Sequence, residues 1–241
     1  MCITFIYLAS PEEQDFPYKL IILNNRDEEF DRPTSKLTWE NKIIAGRDEK
    51  AAERGTWFGV SSSGRIGILL SITEPKSDTK PYAPSRGRII KDYLEGHEKP
   101  IEYCSKLAQE ASKFNGFQFV CLNRTERNSY ELYTLTNLLV DKVEPILRGY
   151  GVHGVGNSPM NKPFQKVIYG EKLFDQIIQD FKEHQDQDRL VQALLRLATD
   201  QTKCLPDQQL ETQLKQKEES YQYLSSIFVR FPESIHYGTR K

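Results

Sequence analysis

Met1-Cys2-Ile3-Thr4-Phe5-Ile6 opens the chain, setting a thiol one residue ahead of an apolar run rich in β-branched and aromatic side chains. A run of that kind predicts a strand. Removal of Met1 leaves the Cys2 sulfur and a free α-amine on one carbon atom, and both titrate close to neutrality, at about 8.5 and about 7.7 to 8.0. The amine can then take the thiol's proton and return it to a leaving group. The competing reading makes Cys2 a small buried apolar side chain on an edge strand.

From this first strand the pattern continues outward. Residues 18 to 24, 42 to 46, 56 to 60 and 65 to 72 are further short β-type runs, with Ser63-Gly64 as a hairpin turn between two of them. Ser85 is positioned to cap a helix through about Leu94 that ends at Gly96, and Pro100 to open another. In that second helix Ile101, Cys104, Leu107, Ala108 and Ala111 share one face. Strands return at 116 to 122, 129 to 136 and near 143 to 155. A long helix follows from Pro163 to about Glu183, striped by Val167, Leu173, Phe174, Ile177, Ile178 and Phe181, then a shorter one from Asp188 to Ala198. The polar stretch 207 to 222 predicts a solvated loop or marginal helix ahead of a strand from Leu224 to Phe231. Strands in runs and helices in runs, without strict alternation, indicate α+β layers.

No composition shift interrupts the 241 residues, so one domain over residues 1–241 is expected. Charges nearly cancel, 33 Lys+Arg against 34 Asp+Glu, and the basic residues are scattered, which argues against nucleic acid as a partner. The opening apolar run lacks a basic flank and meets Pro11, Glu12, Glu13 and Asp15 at once, unlike a secretory signal, and no stretch has membrane-spanning length. A soluble intracellular protein is the expectation. Cys2, Cys104, Cys121 and Cys204 have neither metal-ligand spacing nor disulfide-framework density, which suits free thiols in a reducing compartment.

Chemistry is concentrated in three places besides Cys2. Asn25-Arg26-Asp27-Glu28 ends the second strand, where Arg26 offers a fork of donors to a carboxylate and Asp27 can hold that fork or an ammonium. A polar turn explains such residues equally well. If the first two strands are antiparallel neighbours, this end lies beside Cys2. Tyr150 to Pro159 is a glycine-punctuated strand running into Asn157-Ser158-Pro159, able to present the Asn157 amide as an oxyanion donor or to form a tight turn. Its glycines lack the spacing of a phosphate-binding loop, so no nucleotide is expected. His153 in the same run is more often a structural histidine than a ligand or base. Tyr237-Gly238-Thr239-Arg240 supplies a second guanidinium, the Arg240 side chain.

Met1-Cys2-Ile3, Asn25 to Glu28 with Arg32-Pro33 behind it, Gly55-Thr56-Trp57-Phe58-Gly59-Val60, Arg86-Gly87, Asn115-Gly116-Phe117, Gly154 to Pro159 and Tyr237 to Arg240, in this order, resemble the transport and Golgi organization protein 2 family, the NRDE proteins. The resemblance runs from residue 1 to 240 and resides in the ordered combination. It implies a pattern similar to N-terminal nucleophile hydrolases: a four-layer αββα sandwich, here shortened at the C-terminus because relatives continue through further strands. By matching position, the hydrolase site implied is Cys2, Arg26, Asp27, Asn157 and Arg240.

The resemblance also implies a function that the residues alone do not: non-enzymatic trafficking of haem between storage or mitochondrial compartments and haem-using proteins, with a part in lipid homeostasis. Cytoplasmic, mitochondrial and Golgi associations belong to that expectation, as do haem donor and acceptor proteins or membranes as partners. Haem as cargo needs an apolar slot, a ligand atom and cations for its propionates. Cys2 and His153 are candidate ligands, Arg26 and Arg240 candidate propionate partners, and Trp57 or Phe58 candidate walls. The alternative is a Cys2-dependent amidohydrolase or acyltransferase acting on an amide or thioester of a lipid-like substrate. Neither reading requires a nucleotide or a catalytic metal.

Overall fold

The computed structural model describes residues 2–126 and 128–240. Two compact units emerge from its contacts, one made of the residues up to Phe30 together with those from Tyr150 onward, the other of Asp31–Gly149. The second is thus an insertion between two segments of the first.

The first unit begins with β1 (Ile3–Leu8), β2 (Leu20–Asn25) and the short β3 (Asp27–Glu29). The insertion contributes β4 (Thr38–Glu40), β5 (Ile43–Ala45), β6 (Phe58–Ser61) and β7 (Ile66–Ser71), then α1 (Gly87–Glu95) and α2 (Pro100–Glu110). It closes with β8 (Phe117–Arg124), β9 (Tyr130–Thr136) and β10 (Ile146–Arg148). The chain then re-enters the first unit through β11 (Gly151–Val155), α3 (Gln165–His184), α4 (Gln187–Ala198), α5 (Gln208–Leu214), α6 (Glu218–Tyr221) and β12 (Tyr237–Thr239). The chain is α+β, as its runs of strands and helices predict.

In the insertion the strands form one antiparallel seven-stranded sheet in the order β10-β9-β8-β7-β6-β5-β4. Alternate residues Phe117, Phe119 and Cys121 of β8 point toward Ile89, Ile90, Tyr93 and Leu94 of α1 and Cys104 and Leu107 of α2, forming one core. The first unit has a three-stranded antiparallel sheet, β11-β1-β2, and a separate pair, β12-β3. Ile3, Phe5 and Tyr7 alternate along β1 onto Phe164, Val167, Phe174, Ile178 and Phe181 of the α3 region. Phe174 is wholly enclosed there, which stabilises by about 2–3 kcal/mol relative to an exposed ring.

Several local expectations are corrected. The cap of α1 is Arg86 with no side-chain hydrogen bond, not Ser85. Ile101 is 38% exposed because α2 turns Pro100, Cys104 and Leu107 inward, which leaves Ile101 off the buried face. The polar stretch from 207 is not simply solvated. Asp207 caps α5 through the Leu210 N–H at 3.0 Å, and Leu210, Gln213 and Tyr221 are buried.

The strand expected from Leu224 to Phe231 does not form. Ser225 and Ser226 hydroxyls donate to the carbonyls of Gln222 (2.7 Å) and Phe228 (2.8 Å), and side chains rather than a neighbouring strand take the carbonyls of Ser226 and Ile227. In its place the polar segments β3 and β12, which have no apolar alternation, pair with one another.

Candidate functional site

The sheet register gathers the site. Ile3 pairs with Asn25, so the residue before β1, Cys2, falls level with Arg26. On the other side Thr4 pairs with Val155, and continuing that register brings Cys2 level with Asn157. Asp27 pairs with Thr239, and the Arg240 N–H donates to the Arg26 carbonyl at 3.0 Å. Cys2, Arg26, Asp27, Asn157 and Arg240 therefore converge on one end of the first unit's sheet. Met1, whose removal the nucleophile reading requires, lies outside the described residues.

The Cys2 sulfur lies 4.0 Å from the Asp27 carbonyl oxygen. Burial pushes the thiol above its ordinary range, the Asp27 charge adds to that push, and Arg26 opposes it. Asp27 is buried, with Oδ1 accepting from the Thr239 hydroxyl at 2.5 Å, while that hydroxyl accepts from the Val229 N–H at 2.8 Å. Burial beside Asp27 and Cys2 also pushes the Tyr237 phenol well above its ordinary value. Arg26 forms an ion pair with Glu28 at 3.3 Å. Asn157 is buried, and its carbonyl accepts from Gln213 Nε2 at 3.2 Å.

Of the remaining sequence candidates, His153 shares this unit and Trp57 and Phe58 belong to the other. His153 is half-buried within β11, opposite Ile6, away from the Cys2 end of the strand. Trp57 and Phe58 belong to the inserted unit, where the Trp57 ring packs against Gly46. The glycines of the Gly154 to Pro159 run have a packing role: a Cβ at Gly154 would lie 2.8 Å from Val167 Cγ1, and one at Gly156 would lie 2.6 Å from Val167 Cγ2. They let α3 approach the strand.

Beside this sheet end lies a cleft of about 620 Å³. Phe30, Phe228, Phe231 and Ile235 supply apolar walls, and Arg230, Glu233, His236 and Arg240 supply polar groups. Thr239 and Arg240 line it too, joining the cleft to the Asp27 cluster. Sequence reasoning missed His236 and the phenylalanines because irregular backbone, without periodicity, carries most of them. It also missed Lys166, a fully buried lysine on the apolar face of α3, whose signal is a lone charge four residues before Gly170 and eight before Phe174. Among the described residues there is no cluster of three or more metal-ligating side chains and no helix long and apolar enough to cross a membrane.

Among solved structures, a Caenorhabditis elegans N-acylethanolamine-hydrolyzing acid amidase ortholog is similar with a TM-score of 0.40 and 9% identity, covering 80% of this chain and 85% of that one. In sequence, the Transport and Golgi organization 2 homolog of Mus musculus is 30% identical over all of this chain and 86% of its own length. The Drosophila melanogaster Transport and Golgi organization protein 2 is 31% identical over all of this chain and 85% of its own length, and the Homo sapiens homolog 28% identical over 88% and 77%. The profile of the Transport and Golgi organisation 2 family matches residues 1–241. With every segment of the site falling inside that match, the chain belongs to the Transport and Golgi organisation 2 family.

Proposed function

We propose that this chain is a non-enzymatic haem-handling protein that carries its cargo in the cleft beside the Cys2 sheet end. The observation that carries the reading is the composition of that cleft: phenylalanine walls, one histidine, and two guanidinium groups against the single carboxylate of Glu233, around about 620 Å³. That volume lies in the range of small-molecule sites, roughly 300–1,000 Å³. Aromatic walls suit a macrocycle, Arg230 and Arg240 suit two propionates, and His236 is a ligand atom at the rim. Arg240 retains the role the sequence suggested, while His236 takes the one first considered for His153. An open, half-solvated slot suits a carrier that must release what it binds. Relatives named for transport and Golgi organization support a trafficking role, with haem passed between donor and acceptor proteins or membranes in the cytoplasm and at mitochondria or Golgi.

Haemin titration followed at the Soret band tests this reading. Saturable binding at micromolar haemin is expected, weakened about tenfold in His236→Ala and in Arg240→Ala, roughly 1.4 kcal/mol each, and unchanged in His153→Ala. Absence of a saturable shift in the wild type overturns it.

A second reading is favoured by the convergence of Cys2, Arg26, Asp27, Asn157 and Arg240: Cys2 attacks an amide or thioester carbonyl of a lipid-like substrate, with Asn157 donating to the oxyanion. Loss of Met1 by intact mass, together with turnover of acyl amides that Cys2→Ala abolishes, is its expected signature. An intact Met1 amide in the cellular protein removes the α-amine base and rejects it.

A further inference from the structure

The register of α3 along β1 brings a buried cation to the Cys2 end of the strand. Lys182 lies over the Tyr7 ring at 5.0 Å, and Phe174 stacks on Phe5 at 5.7 Å. A Cβ at Gly170 would meet Phe5 Cζ at 2.2 Å, so helix and strand are in close approach there. Passing down α3 from Lys182 through Phe174 to Gly170 therefore leads from Tyr7 to Phe5 along β1, and Val167 lies against Gly156, two residues beyond Gly154, the partner of Phe5. One turn before Gly170, on the same face, comes Lys166, at the Ile3 and Cys2 end of the strand.

Lys166 is completely buried, and its Nζ donates to the Ser226 carbonyl at 3.1 Å. That carbonyl belongs to the segment in which Ile227 O accepts from Asn25 Nδ2 at 3.2 Å and Val229 N donates to the hydroxyl that holds Asp27. No carboxylate of the described residues forms an ion pair with Lys166. One carbonyl does not compensate an ammonium with three donors. Burial pushes Lys166 below the ordinary ammonium range, and Asp27, Cys2, Asp207 and Cys204 oppose that push. Asp207 is already engaged, accepting from Gln165 N at 2.8 Å and Leu210 N at 3.0 Å.

We propose that Lys166 is a positioning residue for Cys2: its buried ammonium is the counter-charge that lets the sulfur ionise beside the Asp27 carboxylate. The inference goes beyond the haem reading and depends on neither proposed activity, because its readout is the reactivity of one thiol. Among the described residues, the groups that face this pair include Asp27, Arg26, Tyr237, Asp207 and Cys204.

The test is the pH dependence of Cys2 alkylation by iodoacetamide, scored by peptide mass so that Cys104, Cys121 and Cys204 are read separately. Lys166→Met is expected to displace the Cys2 profile upward by about one pH unit, slowing labelling about tenfold at neutral pH. Lys166→Arg, which keeps the charge, is expected to bring it back. A Cys2 profile unchanged in a folded Lys166→Met variant overturns the proposal. Should that variant not fold, the Lys166 titration is followed by NMR in lysine-labelled wild type and Cys2→Ser. A midpoint lowered by loss of the ionisable sulfur supports the coupling, and an unmoved midpoint overturns it.

Discussion

Each of the two units buries a cation against helix and sheet, and the two are held in opposite ways. In the inserted unit Arg65 is 5% exposed, yet its Nε donates to the Tyr93 carbonyl at 2.9 Å and its Nη1 to the Glu98 carbonyl at 2.7 Å, with the guanidinium 4.0 Å over the Tyr93 ring. Those carbonyls lie at or just past the C-terminal end of α1, where a helix leaves acceptors unsatisfied and favours positive charge. Arg65 is a cap. In the other unit Lys166 sits in the first turn of α3, where the helix dipole disfavours a cation, and has a single carbonyl as hydrogen-bond partner. The same kind of group follows the rules of helix ends in one place and breaks them in the other. Broken local rules concentrate where a fold does chemistry, and here the break lies beside Cys2, Asp27 and Arg26.

The largest expected effect probes the packing that places Lys166. Gly170→Val inserts atoms where Phe5 Cζ and Ile227 Cδ1 already stand within 2.2 and 2.9 Å of a Cβ position. A loss of about 3 kcal/mol or more is expected in denaturant unfolding. Wild-type stability in that variant would mean that α3 need not lie so close to β1, and the register argument for Lys166 would lapse.

Next comes the structural cation. Arg65→Met should cost about 2–3 kcal/mol, because one buried and one part-buried carbonyl lose their donor. The Cys2 alkylation profile should stay that of the wild type. A displaced profile would erase the contrast between the two cations.

The smallest effect concerns the far end of the same helix. There Lys182 pairs with Glu13 at 2.5 Å, and Glu13 also accepts from the Tyr7 hydroxyl and the Ser10 N–H. Partial burial pushes the Glu13 carboxyl up, but Lys182, Ser10 and Tyr7 together hold it below its ordinary value. The stability it contributes is therefore present above the unfolded carboxylate value and lost as pH falls through the folded one. Glu13→Gln should lower stability by less than about 1 kcal/mol at neutral pH, since the pair is partly solvated. The melting-temperature deficit should close in acid. A deficit that persists in acid would mean that packing rather than charge sets the contribution.

Legibility in the sequence followed the same divide. Where the backbone satisfies itself, in β1, β7, β8, α3 and α4, β-branched runs and helical stripes mark the elements within a few residues. The convergence of Cys2 with Arg26 and Asp27 was readable because two antiparallel neighbours force it. What escaped is the backbone satisfied by side chains. Residues 224 to 231 have the apolar content of a strand, but Lys166 and Asn25 take the carbonyls of Ser226 and Ile227. No local pattern records partners 60 and 202 residues away. Lys166 itself was hidden because a lysine on a helix is ordinarily a solvated one, and only the packed structure shows this one fully buried.

The insertion of Asp31–Gly149 into the first unit sets an order for biosynthesis. While the chain emerges from a ribosome, the β1-β2 hairpin appears first, but β11 is made only after the whole seven-stranded sheet, which depends on no earlier strand. The inserted sheet can therefore mature alone, whereas the nascent hairpin waits with an open flank. Any activity needing Cys2, Asn157 and Arg240 together must wait until the whole insertion has been made and the segment after it has returned to the first hairpin.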